Sequence, residues 1–292
     1  MEGLTEVGDR TYRLEVPVDG ALVPNVSYFI ADGDGALIEP GPSAAVPAIQ
    51  SAIEHLGLSK LAYIIPTHIH VDHAGGAGAL AVLLPKAEVL AHPRGAKHLA
   101  NPTRLVATTK RIYGDDVESR SGPVLPVPES RIKIIEDGDT VIVGARTLQV
   151  IHAPGHSPDH FAILDRSLNG LFCGEALGLP PHLLPSVAPY AFDQEAYLHT
   201  IEKLRKLHPR TIFYSHGEVD TEPERAFSTA LENTHIYGKM VLEGIRNGDS
   251  SRDIALRFAA DVRNRFGLSF GPEGSELFVM GYSMDYEKKG LH

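Results

Sequence analysis

The run Pro66-Thr-His-Ile-His-Val-Asp-His-Ala-Gly-Gly76 constrains this chain more than any other stretch. It places His68, His70, Asp72 and His73 within six residues, behind the apolar segment Leu61–Ile65 and ahead of a helix-like segment, Ala77–Leu84. A short apolar run of that kind reads as a buried strand, so the four side chains occupy the turn at a strand's carboxyl edge. On an extended backbone His68, His70 and Asp72 share one side, and His73 turns away as the chain enters the helix. Imidazoles and a carboxylate at this density form a metal-ligand pattern able to feed two neighbouring ions. Gly75 and Gly76 allow the backbone to turn closely around such a site. A lone His-x-His is common in surface loops, whereas this longer pattern behind an apolar strand is not.

Further donors stand at three other predicted strand ends. Leu148–His152 runs into Ala153-Pro-Gly-His156-Ser-Pro-Asp-His160, Leu171–Cys173 is followed by Gly-Glu175, and Thr211–Tyr214 by Ser-His216-Gly. Each is weak alone; together, in order behind the first cluster, they read as one constellation. The single cysteine, Cys173, excludes an intramolecular disulfide or a Cys-rich zinc module. It lies out of register with Glu175 and reads as a small core residue. An imidazole-rich set with carboxylates and no thiolate suits zinc, iron or manganese.

These segments, in this order, resemble the five motifs of the metallo-β-lactamase superfamily over about residues 10–220. The resemblance implies an α/β fold: an αβ/βα sandwich of two mixed sheets with outer helices and a metal site at one edge. It implies that His68, His70 and His156 bind one divalent ion and that Asp72, His73 and His216 bind a second. Zinc is the first expectation for both, with iron or manganese also suited. Glu175 stands where the family usually has a bridging aspartate, and Leu37-Ile-Glu39-Pro-Gly41 has glutamate where aspartate is common. A glutamate reaches one methylene further, so Glu175 either bridges both ions or serves only one. The implied chemistry is hydrolysis: two ions lower the pKa of a water toward about 7, and Asp72 orients it or accepts its proton. His160 is expected to orient a ligand or touch substrate, with Tyr214 and His182 near the site's edge. His70 stands where the related flavodiiron enzymes typically carry glutamate, which favours hydrolysis over oxygen reduction.

Charge narrows the substrate. Lys and Arg number 27 against 37 Asp and Glu, a net charge of −10, opposite to the balance of a phosphate-neutralising nucleic-acid binder. The expected substrate is a small ester-like molecule, a thioester or a lactone, with no nucleic-acid or membrane partner; a homo-oligomer stays open. The alternative is a diiron redox or sulfur-oxidising enzyme of the same fold, followed by a phosphodiesterase or a non-catalytic binding protein. The N-terminus lacks a basic stretch followed by an apolar one, and no window approaches about 18 consecutive apolar residues, so the expected location is cytoplasmic. Two regions are expected, a catalytic domain over 1–220 and a helical extension over 221–292 packed on it. Within the first, Asn101–Glu129 reads as an insertion with one helix, Thr103–Tyr113, placed to cap a small-molecule pocket.

Overall fold

Short apolar segments broken by glycine, aspartate and proline become strands in the computed structural model, which describes residues 1–16 and 24–291. The chain divides into two units: Met1–Ala153, Asp159–Gly174 and Pro209–Thr221 form one, and Pro154–Pro158, Glu175–His208 and Glu222–His292 the other.

The first unit holds both sheets. In one, β1 (Leu4–Gly8), β2 (Thr11–Val16), β3 (Asn25–Ile30), β4 (Ala36–Ile38), β5 (Tyr63–Ile65), β6 (Glu88–Ala91) and β7 (Ile132–Ile134) lie side by side in chain order. The pairs from β1 to β4 are antiparallel; those from β4 to β7 are parallel. Parallel neighbours need crossover connections, and these carry α1 (Val46–His55), α2 (Val71–Ala74), α3 (Ala77–Leu83), α4 (Pro93–Ala100), α5 (Thr103–Tyr113) and α6 (Val117–Ser121). The other sheet contains β8 (Thr140–Val143), β9 (Arg146–His152), β10 (Phe161–Asp165), β11 (Gly170–Gly174) and β12 (Thr211–Tyr214), in the order β12-β11-β10-β9-β8. Only β11 and β12 run parallel in it. Both sheets are therefore mixed, as the resemblance implies.

Side chains alternate across each strand, and that alternation builds two layers. Phe29, Leu37, Ile64 and Val89 point outward onto Ile49, Ile53 and Leu80 of the helices. Tyr28, Ile38, Ile65 and Leu90 point inward and meet Leu148, Val150, Ile163 and Phe172 of the second sheet. Tyr28 contacts Phe172 and Phe213 edge-on at centroid distances of 5.2 and 5.5 Å. Its hydroxyl donates to the Tyr214 carbonyl at 2.6 Å, closing the inter-sheet layer with a satisfied polar group.

The second unit is helical: α7 (Gln194–Arg205), α8 (Pro223–Arg246), α9 (Ser251–Phe266) and α10 (Pro272–Lys288). Asp193 caps α7 by accepting from the Ala196 N–H at 3.0 Å, and Ser250 caps α9 by accepting from Asp253 at 3.2 Å. Gly267 ends α9 in the left-handed region at φ 70°. Phe258 of α9 stacks on Phe278 of α10 with ring centroids 4.0 Å apart, and Tyr237 of α8 closes edge-on against Phe258. Among the described residues, no helix is long and apolar enough to cross a membrane.

Two elements follow from pairing and local backbone rather than from an apolar run. β1 has no continuous apolar face (Leu-Thr-Glu-Val-Gly) and forms because β2 offers it a partner as the sheet's edge. Helix α2 begins at Val71, inside the histidine run, so Asp72 lies on its first turn instead of extending the side shared by His68 and His70.

Candidate metal centre

The carboxyl end of β5 delivers Thr67, His68, Ile69 and His70 before α2 starts. Neighbouring backbone fixes this segment: the Asp159 carboxylate accepts from the Ile69 N–H at 3.0 Å, and the Phe161 N–H donates to the Thr67 carbonyl at 2.9 Å. Gly76 is needed at the exit of α2, because a Cβ there would lie 2.6 Å from the Pro40 carbonyl oxygen. That contact seats the histidine segment against Glu39-Pro40-Gly41.

Glu39 organises the imidazoles from beneath. It is 2 % exposed and has two partners on the histidine segment. The Thr67 hydroxyl donates to its Oε1 at 2.7 Å, and His73 Nδ1 lies 3.2 Å from its Oε2. A hydroxyl has one hydrogen; with that hydrogen on Glu39, Thr67 accepts from His68 Nδ1 at 3.1 Å. A carboxylate only accepts, so His73 carries its proton on Nδ1. Both rings are thereby fixed in the tautomer that leaves Nε2 with its lone pair exposed.

Both Nε2 atoms have close polar neighbours. His68 Nε2 is 2.9 Å from His70 Nδ1, and His73 Nε2 is 3.3 Å from Asp72 Oδ2. His216, just beyond β12, brings its Nε2 to 3.8 Å from the same carboxylate oxygen. Asp72, His73 and His216 form a group whose donor atoms lie within 4.8 Å of one another and could hold a metal ion. Asn25 ties this group together from two sides: its amide donates to the Asp72 carbonyl at 2.7 Å, and its backbone bridges to His216. Of the three donors Asp72 is the accessible one, its side chain 40 % exposed against 1 % for His73. His160 is fully buried with its ring centroid 5.0 Å from that of His68.

The second unit repeats the arrangement. His156 Nδ1 donates to the Ser186 carbonyl at 2.9 Å, which leaves Nε2 as the acceptor, and Nε2 lies 2.8 Å from Glu175 Oε2. The other oxygen of Glu175 accepts from the Ser186 hydroxyl at 2.5 Å, and its backbone carbonyl accepts from the Tyr197 hydroxyl at 2.9 Å. Gly155 is obligatory beside this histidine: it sits at φ 130°, and a Cβ would lie 2.3 Å from Tyr197 Cα. His182 is also in this unit, its ring stacked on Phe266 at 4.7 Å and its carbonyl accepting from Asn233 at 2.7 Å. Tyr214 is buried on β12, and Cys173 is buried on β11 as a core residue.

An imidazole nitrogen and a carboxylate oxygen that both accept repel each other unless a proton or a metal cation lies between them. His73 with Asp72 and His156 with Glu175 are such pairs, built of the nitrogen and oxygen donors that divalent transition metals take. The donor chemistry therefore fits bound metal.

Comparison with known proteins agrees with this geometry. The family model of the metallo-beta-lactamase superfamily matches residues 20–216. The chain belongs to that superfamily. A metallo-beta-lactamase fold-containing protein of Sulfurisphaera tokodaii is 26% identical over 212 residues, covering 69% of this chain and 75% of the relative. A hydroxyacylglutathione hydrolase of Gloeobacter violaceus is 34% identical over 160 residues, 54% of this chain and 50% of that enzyme. In fold, the crystal structure of a metallo-beta-lactamase family protein from Thermus thermophilus superposes with a TM-score of 0.76 at 20% identity, covering 98% of this chain and 95% of that one.

Sequence reasoning had no role for Asn25, Thr67, Asp159, Ser186 or Tyr197, and left that of Glu39 unassigned. Each acts through a contact distant in sequence. Glu39 alone carried a signal, as a glutamate at a family aspartate position.

Proposed function

We propose that this chain, a metal-dependent hydrolase of the metallo-β-lactamase fold, cleaves a small thioester or lactone with two divalent ions bound. The observation that carries the reading is the pair of side-chain groups whose donor atoms lie within 4.8 Å of one another, with imidazole nitrogens held beside carboxylate oxygens at His73 and Asp72 and at His156 and Glu175. In it, His68, His70, His156 and Glu175 serve one ion, and Asp72, His73 and His216 the other. Covalent tethering supports the first set. The loop 154–158 leaves at Ala153 and returns at Asp159, and the Ala153 N–H donates to the His160 carbonyl at 2.9 Å. His160 in turn neighbours His68. Glu175 directly follows Gly174, where a Cβ would lie 2.4 Å from His160 Nε2.

Bound divalent ions supply Lewis acidity, which brings the pKa of water toward about 7 and polarises a substrate carbonyl. The chain's own residues do the rest. Glu39 and Thr67 hold the His68 and His73 tautomers, so that no ring has to reorient during turnover. Asp72, the exposed carboxylate of its group, is placed to accept a proton from the attacking water. A narrow crevice of about 10 Å³, lined by Val71, Val106, Thr109, Val117 and Val124, opens beside the residue that separates His70 from Asp72. Its walls come from α2, α5, α6 and the loop after α6. The half-length match to a hydroxyacylglutathione hydrolase, an enzyme named for a thioester-type substrate, supports the same class.

Zinc-, iron- and manganese-loaded protein assayed on a panel of thioesters, lactones and phosphodiesters tests the proposal. We expect hydrolysis of the first two classes, and His68→Ala and His70→Ala each to abolish it and lower bound metal. Full activity and full metal content in either variant would overturn the reading. Turnover that needs iron and oxygen would replace it with the redox alternative.

A further inference from the structure

Charge is spread unevenly along this chain, and its one basic stretch lies beside the histidine segment. Between Glu88 and Asp115 there is no acidic residue, while Arg94, Lys97, Arg104, Lys110 and Arg111 all fall there, in a chain whose net charge is −10. Helices α4 and α5 carry all five. On α4, Gly95 and Leu99 are buried. Arg94 and Lys97, three apart and so on one face, are exposed, with the partly buried His98 beside them. Arg104 is exposed on the first turn of α5. Lys110 pairs with Glu118. Arg94, Lys97 and Arg104 form no ion pair among the described residues.

Both helices pack against the segment that bears the candidate ligands. A Cβ on Gly95 would lie 2.7 Å from Ile69 Cγ2 and 3.0 Å from Asp159 Oδ2, so α4 rests on the residue between His68 and His70. Val106 and Thr109 of α5 share a crevice with Val71, the residue between His70 and Asp72. The cations are felt locally: burial first, then Lys97 and Arg104, hold His98 below the ordinary histidine range. Asp159, the carboxylate that acts on His98, is buried, and its Oδ2 accepts from the Ile69 N–H. Exposed cations grouped in this way raise the local concentration of an anion, and guanidinium forks match phosphate oxygens in two-point contacts. One fork suffices for a carboxylate. Three cations suit a phosphate monoester, which carries about −1.5 to −2 at pH 7.

We propose that Arg94, Lys97 and Arg104 dock a phosphate on the leaving half of the substrate, so that the site takes thioesters of a phosphorylated thiol. This rests on the hydrolase reading above and names the substrate class of the same site. In the reaction water adds to the carbonyl carbon and the C–S bond breaks. The products are a carboxylic acid and the phosphorylated thiol, whose sulfur takes up a proton. The phosphate is remote from the reacting carbonyl, so the three cations hold substrate and transition state alike. Binding of that uniform kind acts on KM and leaves kcat unchanged. A nucleic acid fits this surface less well, because the basic residues occupy two short helices and the chain as a whole is acidic.

The test compares thioesters that share one acyl group, carried on a phosphorylated thiol, on a carboxylated thiol and on a neutral thiol of equal length, with zinc-loaded protein. We expect KM to be lowest for the phosphorylated substrate, about tenfold below the neutral one, with kcat alike. Added salt should shrink that difference. The combined variant Arg94→Gln, Lys97→Gln and Arg104→Gln should raise KM for the phosphorylated substrate about tenfold. Its KM for the neutral substrate should stay native, which also shows the variant to be folded. Calorimetric titration of metal-stripped protein with the free phosphorylated thiol separates the helices from the ions: binding should persist without metal and be lost in the variant. Equal KM values for the phosphorylated and neutral substrates, a native KM in the variant, or binding that disappears with the metal would overturn the inference and leave the hydrolase reading intact. So would a lower KM for the carboxylated substrate, or tighter binding of a DNA duplex than of the phosphorylated thiol. Hydrolysis of none of the three thioesters would overturn the thioester reading and this inference with it.

Discussion

Replacing Glu39 by glutamine removes one charge and almost no volume, yet it should disable one of the two metal groups whichever way the amide settles. The carboxylate accepts on both oxygens, from Thr67 at 2.7 Å and from His73 Nδ1 at 3.2 Å. A glutamine accepts on one side and donates on the other. If its NH₂ faces His73, Nδ1 must become the acceptor, the proton moves to Nε2, and the lone pair aimed at Asp72 is lost. If its NH₂ faces Thr67, the hydroxyl must turn its hydrogen to His68 Nδ1, and His68 loses its Nε2 lone pair instead. Either way an imidazole presents N–H where a ligand is required. The expected cost is 10–100-fold in affinity for the ion concerned, or about 1.4–2.8 kcal/mol. The imperfectly paired buried amide adds about 1–3 kcal/mol of lost stability in metal-free protein. Chelator-competition titration reads the first quantity and urea unfolding of the stripped protein the second. Native affinity for both ions in Glu39→Gln would refute the tautomer argument outright.

Three other perturbations report on separate parts of the account. Asn25→Ala leaves the Asp72 carbonyl without its 2.7 Å donor; it should cost about 1–3 kcal/mol in urea melts and loosen the Asp72 ion more than the other. Gly155→Ala puts a Cβ 2.3 Å from Tyr197 Cα at a positive φ; it should displace His156 and lower zinc retention, read by elemental analysis. His92, pushed down to about 4 by burial and next by the stacked His152, should titrate in proton NMR far below an ordinary histidine. His152→Ala should move it upward. Because the unfolded chain takes that proton first, the pair adds no penalty above about pH 6.5 and costs stability as pH falls toward 4. For a ring only partly buried the loss is about 1 kcal/mol or less after solvent screening, and His92→Asn should remove it.

The candidate donors were legible in the sequence and their supports were not, for one physical reason. His68, His70, Asp72, His73, His156, Glu175 and His216 stand at strand ends, where an apolar run followed by histidine and glycine is a local signal. β12 forms over the residues that its apolar run marked, Thr211–Tyr214. Glu39 reaches Thr67 across 28 positions, and Asn25 reaches Asp72 across 47. No periodicity records such contacts; they exist only once β3, β4 and β5 lie side by side. Ser186 is subtler still. It meets Glu175 across only 11 positions, but from an irregular proline-rich segment whose path no helix or strand pattern fixes. The placement of Asp72 failed for a local reason: Val71 opens a helix, which ends the period-2 alternation one residue before Asp72.

The central claim is that opposed lone pairs at these strand ends are held for two divalent ions. Anomalous diffraction from crystals of the zinc-loaded chain tests it most directly. The account predicts two peaks, one among His68, His70, His156 and Glu175 and one among Asp72, His73 and His216, with only the second lost in His216→Ala. A single peak elsewhere, or none among these side chains, would contradict it.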